Sequence, residues 1–210
     1  FIFVDIKMTK KIISKILHNC AAESFNKISV DGDMSTNDSV ALVATGLNSI
    51  DLTNKKHYQR VEQNIKSVFR QLAHMIVSDG EGATKVCKLS VTKAYSFIQA
   101  NQVCYSIANS NLFKTALFGE DPNWGRIIAR LGSLNKIRYN SNDVVLKING
   151  ITVFKKGIPT NQSNSKKLVN SMKNSNIDVE ICLNSGSYNA NILTSDLSKK
   201  YVQINSKYST

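Results

Sequence analysis

Cysteine is scarce and unpaired in this chain. Cys20, Cys87, Cys104 and Cys182 show no CxxC spacing, and with His18, His57 and His74 they form no recognisable metal set. Such usage is that of buried free thiols in a reducing cytoplasm. No apolar run reaches the length of a membrane span, and the opening Phe1-Ile2-Phe3-Val4-Asp5 lacks the basic region and long apolar core of an export signal. Also missing are an arginine-rich run, the aromatic and glycine signature of an RNA-binding sheet, internal repeats and low-complexity linkers. Position 1 is not methionine, and the first segment reads as a strand in mid-course. We therefore expect a processed subunit or a fragment of a longer chain.

What is present suffices for a globular core. The 210 residues are 42% hydrophobic and 20% charged, which excludes a disordered chain and allows one large domain or two small ones. Lysine and arginine number 27 against 15 acids, a net charge of +12, which raises nucleic acid or an acidic surface as a partner. The excess is scattered, with Lys10-Lys11, Lys55-Lys56, Lys155-Lys156, Lys166-Lys167 and Lys199-Lys200 far apart. A surface of this kind is compositional rather than a binding stripe, and neither nucleic acid nor a membrane is expected as a partner.

Hydrophobic periodicity outlines the elements. Phe1 to Val4 reads as a buried strand, and Thr9 opens a helix to about residue 24 with Ile12, Ile13, Ile16, Leu17 and Cys20 on one face. Ile28 to Val30 is a short strand. Ser35-x-x-Asp38 predicts a helix cap before residues 40–44, while Asp31, Asp33 and Asp38 do not have the spacing of a calcium loop. The clearest helix covers 54–78, where Tyr58, Val61, Ile65, Val68, Phe69, Leu72, Ile76 and Val77 recur at three and four residues, opposite a solvated face with Lys66 and Arg70. A strand follows over 86–91 and another amphipathic helix over 93–110. Asn149-Gly150, between 144–148 and 151–154, is the strongest hairpin signal. A short helix is expected near 168–172, and strands over 177–183, 188–194 and 201–204. The fold expected is mixed α/β (α+β), helices layered on β-sheets, with a main region over 1–132 and a strand-rich subdomain over 133–210.

Two loops carry unusual chemistry. Phe118-Gly119-Glu120-Asp121-Pro122-Asn123-Trp124-Gly125-Arg126-Ile127 holds the only tryptophan and reads as a loop feeding a helix, Asp121 as cap and Pro122 first inside. Free amides there, with Arg126, can bind an anion; the same residues equally describe a capped turn, Gly125 permitting close approach and Trp124 filling core. Asp79-Gly80-Glu81-Gly82 presents a carboxylate between glycines at an element end, suited to an ammonium group or a proton. It can as well be a helix end with Gly80 left-handed and Glu81 solvated. The residues alone leave both choices open.

Taken together, Ser29-Val-Asp-Gly-Asp-Met-Ser-Thr-Asn-Asp38, Ser78-Asp-Gly-Glu-Gly-Ala-Thr-Lys85, Ile107-Ala-Asn-Ser110, residues 118–127 and the ending Val202-Gln-Ile-Asn205-Ser-Lys-Tyr208-Ser-Thr210 closely resemble the ornithine acetyltransferase family, also called glutamate N-acetyltransferase. The resemblance covers essentially the whole chain. It implies a self-cleaving N-terminal-threonine acetyltransferase fold, in which one precursor is cut before a threonine into α and β chains. This chain resembles the β chain.

The resemblance further implies that the nucleophilic threonine lies just upstream of Phe1, with its own α-amine as base, and that α-chain donors hold the oxyanion. Acetyl would pass from N-acetylornithine to glutamate in arginine biosynthesis, with acetyl-CoA a second donor in some members. No cofactor and no metal are implied. Glu81 corresponds to the residue meeting the cationic amine of ornithine, and Asn205 and Thr210 to hydrogen-bonding partners of the amino-acid head group. No catalytic residue falls within the chain itself, which alone should be inactive; its partner would be the α chain in a heterotetramer of two α and two β chains, in the cytoplasm. Ser209 stands where an arginine is common. Two other classes remain: a related N-terminal-nucleophile aminopeptidase, opposed by the 121–126 and 205–210 matches, and a non-catalytic basic binding module, which would bind DNA with steep salt dependence.

Overall fold

The computed structural model describes residues 1–135 and 137–207. In chain order its elements are β1 (Ile2–Ile6), α1 (Lys10–Ala22), β2 (Ile28–Ser29), β3 (Leu42–Asn48), α2 (Lys55–Ser78), β4 (Val86–Ala94), α3 (Phe97–Ala108), α4 (Asn111–Phe118), α5 (Trp124–Gly132), β5 (Val145–Ile148), β6 (Ile151–Lys155), β7 (Ile158–Pro159), α6 (Lys166–Ser171), β8 (Asn176–Cys182), β9 (Tyr188–Ser195) and α7 (Lys199–Asn205). The mixed α/β expectation holds. Contacts group the chain into two units, one of Phe1–Lys27 with Asp33–Met75, the other of Ile28–Gly32 with Ile76 onward.

In the first unit β1 and β3 form a parallel pair, Ile2 opposite Leu42 and Val4 opposite Ala44. Thr9 caps α1 by accepting the Ile12 N–H at 3.4 Å, and Asn54 caps α2 through the Lys56 N–H at 2.9 Å. Ile16 and Cys20 of α1 meet Val61, Ile65 and Phe69 of α2 in one apolar cluster, as spacings of three and four require. Val68 and Ile76 leave that stripe and are 42% and 48% exposed, because each stands one residue, about 100° of helix turn, from buried Phe69 and Val77. The helix expected over 40–44 is a strand instead. Ser35 Oγ does accept the N–H groups of Asn37 and Asp38 at 3.2 and 3.1 Å, but the Ile2 N–H bonds the Ala41 carbonyl at 2.8 Å and the following residues join the β1 ladder. Pairing with β1 overrides the local capping signal.

The second unit is built on a seven-stranded sheet in the order β2-β9-β4-β8-β5-β6-β7. Its centre is β4, antiparallel to β9 and parallel to β8: Leu89 lies opposite both Ile192 and Val179, and Val91 opposite Ala190 and Ile181. These side chains share one face and pack with Val103 and Ile107 of α3 in a single core, while Lys88 on the other face is exposed. Each fully buried aliphatic side chain there contributes about 1.5–3 kcal/mol. Because β4 pairs with β8 and β9, the sheet runs straight across the boundary at 132/133 expected from sequence. Asn149 and Gly150 join β5 to β6 with φ of 48° and 76°, the positive values a two-residue hairpin turn needs. Helix α3 begins at Phe97 rather than 93, since β4 continues to Ala94 and Ser96 is the cap, accepting the Gln99 N–H at 3.1 Å. The strand expected over 201–204 is α7, started by Ser198 Oγ taking the Tyr201 N–H at 3.2 Å.

A lysine lies deep inside this unit. Lys114 of α4 is 2% exposed; its Nζ donates to Thr194 Oγ1 at 3.0 Å and to the Ser195 carbonyl at the end of β9. Burial pulls its pKa from 10.5 down to about 8, against the negative charges of Asp196 and Asp31, which push it up. Below pH 8 folded and unfolded chains both hold the proton, and the cost of the buried charge is fully present. Between pH 8 and 10.5 the folded chain releases a proton that the unfolded chain keeps, so stability rises with pH. Relative to Lys114→Met, the wild type should therefore gain up to about 3 kcal/mol across that window in chemical denaturation. Parallel stability profiles for the two proteins would contradict this.

Candidate functional site

Glu81 stands on the loop between α2 and β4. The loop turns sharply, the Ala83 N–H bonding the Gly80 carbonyl at 2.9 Å, and its left-handed residue is Gly82, with φ +68°, not Gly80 as the sequence suggested. The reason is a close approach. A Cβ on Gly82 would stand 2.6 Å from the Tyr201 backbone nitrogen and 2.7 Å from Ser198 Oγ, so only glycine lets the loop lie against the start of α7. That contact brings Glu81 and Asn205 together across 124 residues of sequence: Asn205 Nδ2 donates to Glu81 Oε2 at 2.5 Å and to the Tyr201 carbonyl at 3.1 Å. Tyr201 in turn donates its hydroxyl to Asp31 Oδ2 at 3.0 Å. Thr210, the third residue singled out by resemblance, lies outside the described residues.

Loop and helix border a cleft of about 610 Å³, lined by residues 78–84, Phe118, Lys199, Lys200 and Gln203 among others. Glu81 is exposed there, and Asn205 donates to one of its carboxylate oxygens. A cleft lined by a carboxylate and two lysines suits a zwitterion, which carries one charge of each sign. A larger groove, about 820 Å³, runs along Gln63, Lys66, Arg70 and His74 on one face of α2, where Arg70 already pairs with Glu23 at 3.7 Å. Among the described residues no group of three or more His, Cys, Asp or Glu side chains could hold a metal ion, and no helix is long and apolar enough to cross a membrane.

The 118–127 stretch shapes this region from below. Asn123, not Asp121, caps α5, its Oδ1 accepting the Arg126 N–H at 3.2 Å. Asp121 is engaged otherwise, accepting from Asn123 Nδ2 at 2.9 Å, which moves the helix start two residues on. The Arg126 guanidinium donates to the Leu112 carbonyl at 2.7 Å and to Thr115 Oγ1 at 3.2 Å. It therefore ties α5 to α4 and does not join the α5 amides in an anion site. Trp124 stacks on Phe154 with centroids 5.7 Å apart. The stretch meets the Glu81 loop through Glu120, whose Oε1 accepts from buried Lys85 Nζ at 2.9 Å. Sequence reading missed Tyr201, Lys199 and Lys200, because a seven-residue helix offers too few repeats; Ser198 before the lysine pair was the one available signal, a cap.

The ArgJ family pattern matches residues 1–210. The chain belongs to the ArgJ family. Among ArgJ relatives, the arginine biosynthesis bifunctional protein ArgJ of Chlorobium chlorochromatii is 36% identical over 208 residues, 99% of this chain and 48% of that protein. The glutamate N-acetyltransferase of Methanocaldococcus jannaschii is 38% identical over 217 residues, 100% of this chain and 53% of that protein. The chain spans about half the length of the curated relatives it matches. In the crystal structure of the arginine biosynthesis bifunctional protein argJ from Bacillus halodurans, one chain superimposes with a TM-score of 0.90 at 31% identity, covering 99% of this chain and 98% of that one.

For this ArgJ-family chain, Gly82→Ala should lower stability by about 1–3 kcal/mol, the usual cost of forcing a side chain into a left-handed position, and should speed amide exchange through α7. Denaturation and hydrogen exchange measure both. Unchanged stability would show that the loop and α7 do not need their close contact.

Proposed function

We propose that this chain is the β chain of a glutamate N-acetyltransferase of arginine biosynthesis, acting with an α chain cut from the same precursor. The observation that carries the reading is the pairing of Glu81 with Asn205 at one cleft. Two residues implied separately by family resemblance, one on a loop and one on a helix 124 residues away, share a hydrogen bond. Further support comes from lengths: the curated relatives are about twice as long as this chain, whereas the Bacillus halodurans chain is matched over 98% of its length.

In this reading a threonine just before Phe1 attacks the acetyl carbonyl of N-acetylornithine. Its hydroxyl proton passes by way of its α-amine to the ornithine nitrogen, the amide bond breaks, and ornithine leaves. The amine of glutamate then attacks the acetyl ester and regenerates the threonine. Glu81 holds the side-chain ammonium of ornithine, Asn205 and Thr210 orient the head group, and donors from the α chain steady the oxyanion. Charging the same threonine from acetyl-CoA would add N-acetylglutamate synthesis. The assembled enzyme is a heterotetramer of two α and two β chains, inactive as the isolated β chain, and works in the cytoplasm, where its free thiols stay reduced.

In the assembled enzyme, Glu81→Ala should reduce kcat/KM for N-acetylornithine about 100-fold or more, the scale of losing a charge-paired ligand contact. Steady-state kinetics with both substrates measure it, and unchanged values would remove Glu81 from the site.

A further inference from the structure

We propose that Asp196 is a positioning residue for the acetyl-donor site, holding the Glu81 loop and the Asn205 helix at one spacing. The inference rests on the reading of Glu81 as the group that meets the ornithine ammonium. Asp196 follows β9 directly and is 4% exposed. Its Oδ1 accepts the backbone N–H groups of Thr84 and Lys85 at 2.8 and 3.0 Å, and its Oδ2 accepts the Thr84 hydroxyl at 2.6 Å. The Asp196 N–H returns to the Lys85 carbonyl at 3.3 Å. Three donors therefore converge on one buried carboxylate, three residues from Glu81.

The other branch starts two residues later. Ser198 caps α7, and the Gly82 backbone lies against its hydroxyl. Asp196 thus sits at a fork, one arm reaching Glu81 through Thr84 and the other reaching Asn205 through α7. The charges around it suit an anion. Lys114 lies under the end of β9, bonded to the Thr194 hydroxyl and the Ser195 carbonyl, and among the charges that favour its ammonium form that of Asp196 acts most strongly. The Lys85 amide is buried and costly to leave without its acceptor, so removing the carboxylate releases the loop where it joins the sheet. Asp196 itself touches no substrate in this scheme. Its effect travels through the placement of Glu81, which matters most to the substrate with a side-chain cation.

The test uses the assembled enzyme with Asp196→Asn, which keeps the size and one accepting oxygen, and Thr84→Val, which removes only the hydroxyl donor. Asp196→Asn should raise KM for N-acetylornithine about tenfold while kcat and the KM for glutamate move less than about threefold, the pattern of lost ground-state binding. Thr84→Val should shift the same KM in the same direction by a smaller factor. Hydrogen exchange should accelerate at residues 79–84 and leave the β4 and β9 amides unchanged. Equal losses for both substrates with a lowered melting temperature would make Asp196 merely structural, and unchanged KM and exchange would overturn the proposal outright. Should Asp196→Asn fail to assemble, Thr84→Val decides on the same readouts. If the wild-type enzyme transfers no acetyl group from N-acetylornithine, the functional reading fails instead, and exchange at 79–84 still decides whether Asp196 holds the loop.

Discussion

The grip of the Asp196 carboxylate on the Thr84-Lys85 backbone is the contact on which the geometry of the cleft depends. The elements around the cleft have little apolar area to place them. Helix α7 buries none of its residues, and residues 79–84 of the Glu81 loop are exposed or half-buried. Burial of hydrocarbon, which orders most helices in a fold, cannot set their positions. Hydrogen bonds do: the Ser198 cap, Tyr201 on Asp31, Asn205 on Glu81, and Asp196 on Thr84. Each is worth little net in water, but the buried ones are costly to leave unmade.

Beneath this polar layer lies a frame of another kind. Leu89, Val179, Ile192 and their neighbours form a one-faced apolar layer across β4, β8 and β9. The strand ends, and with them the starts of the Glu81 loop and α7, are fixed by that packing. Lys114 joins the two layers, an ammonium inside the core bonded to the last residues of β9. Its depressed pKa records the cost of that position, and Asp196 and Asp31 offset part of it.

Features set by local chemistry were legible in the sequence. Thr9 caps its helix as read, the α1 stripe and most of the α2 stripe follow their spacing, and Asn149-Gly150 turns the hairpin. Features set by distant partners were not. Residues 42–44 are strand because β1 offered a ladder, and 201–204 belong to a helix capped by Ser198 and too short to show a period in the sequence. Glu81 stood out by its glycines, although its role stayed open on residues alone. Asn205 was reached only through family resemblance. Asp196 and Tyr201 gave no signal at all, since their partners lie 112 and 170 residues away in the chain. The 118–127 stretch was the most conspicuous segment and an ambiguous one; its arginine bonds α4, and its glutamate holds Lys85 below the Glu81 loop.

The central claim is that the cleft between the Glu81 loop and α7 receives the ornithine end of the acetyl donor. The most direct measurement is a crystal structure of the assembled enzyme soaked with ornithine. Ligand density in the cleft, with an ammonium group within hydrogen-bonding distance of the Glu81 carboxylate, is the result expected. Density elsewhere, with Glu81 still bonded only to Asn205, would contradict the claim.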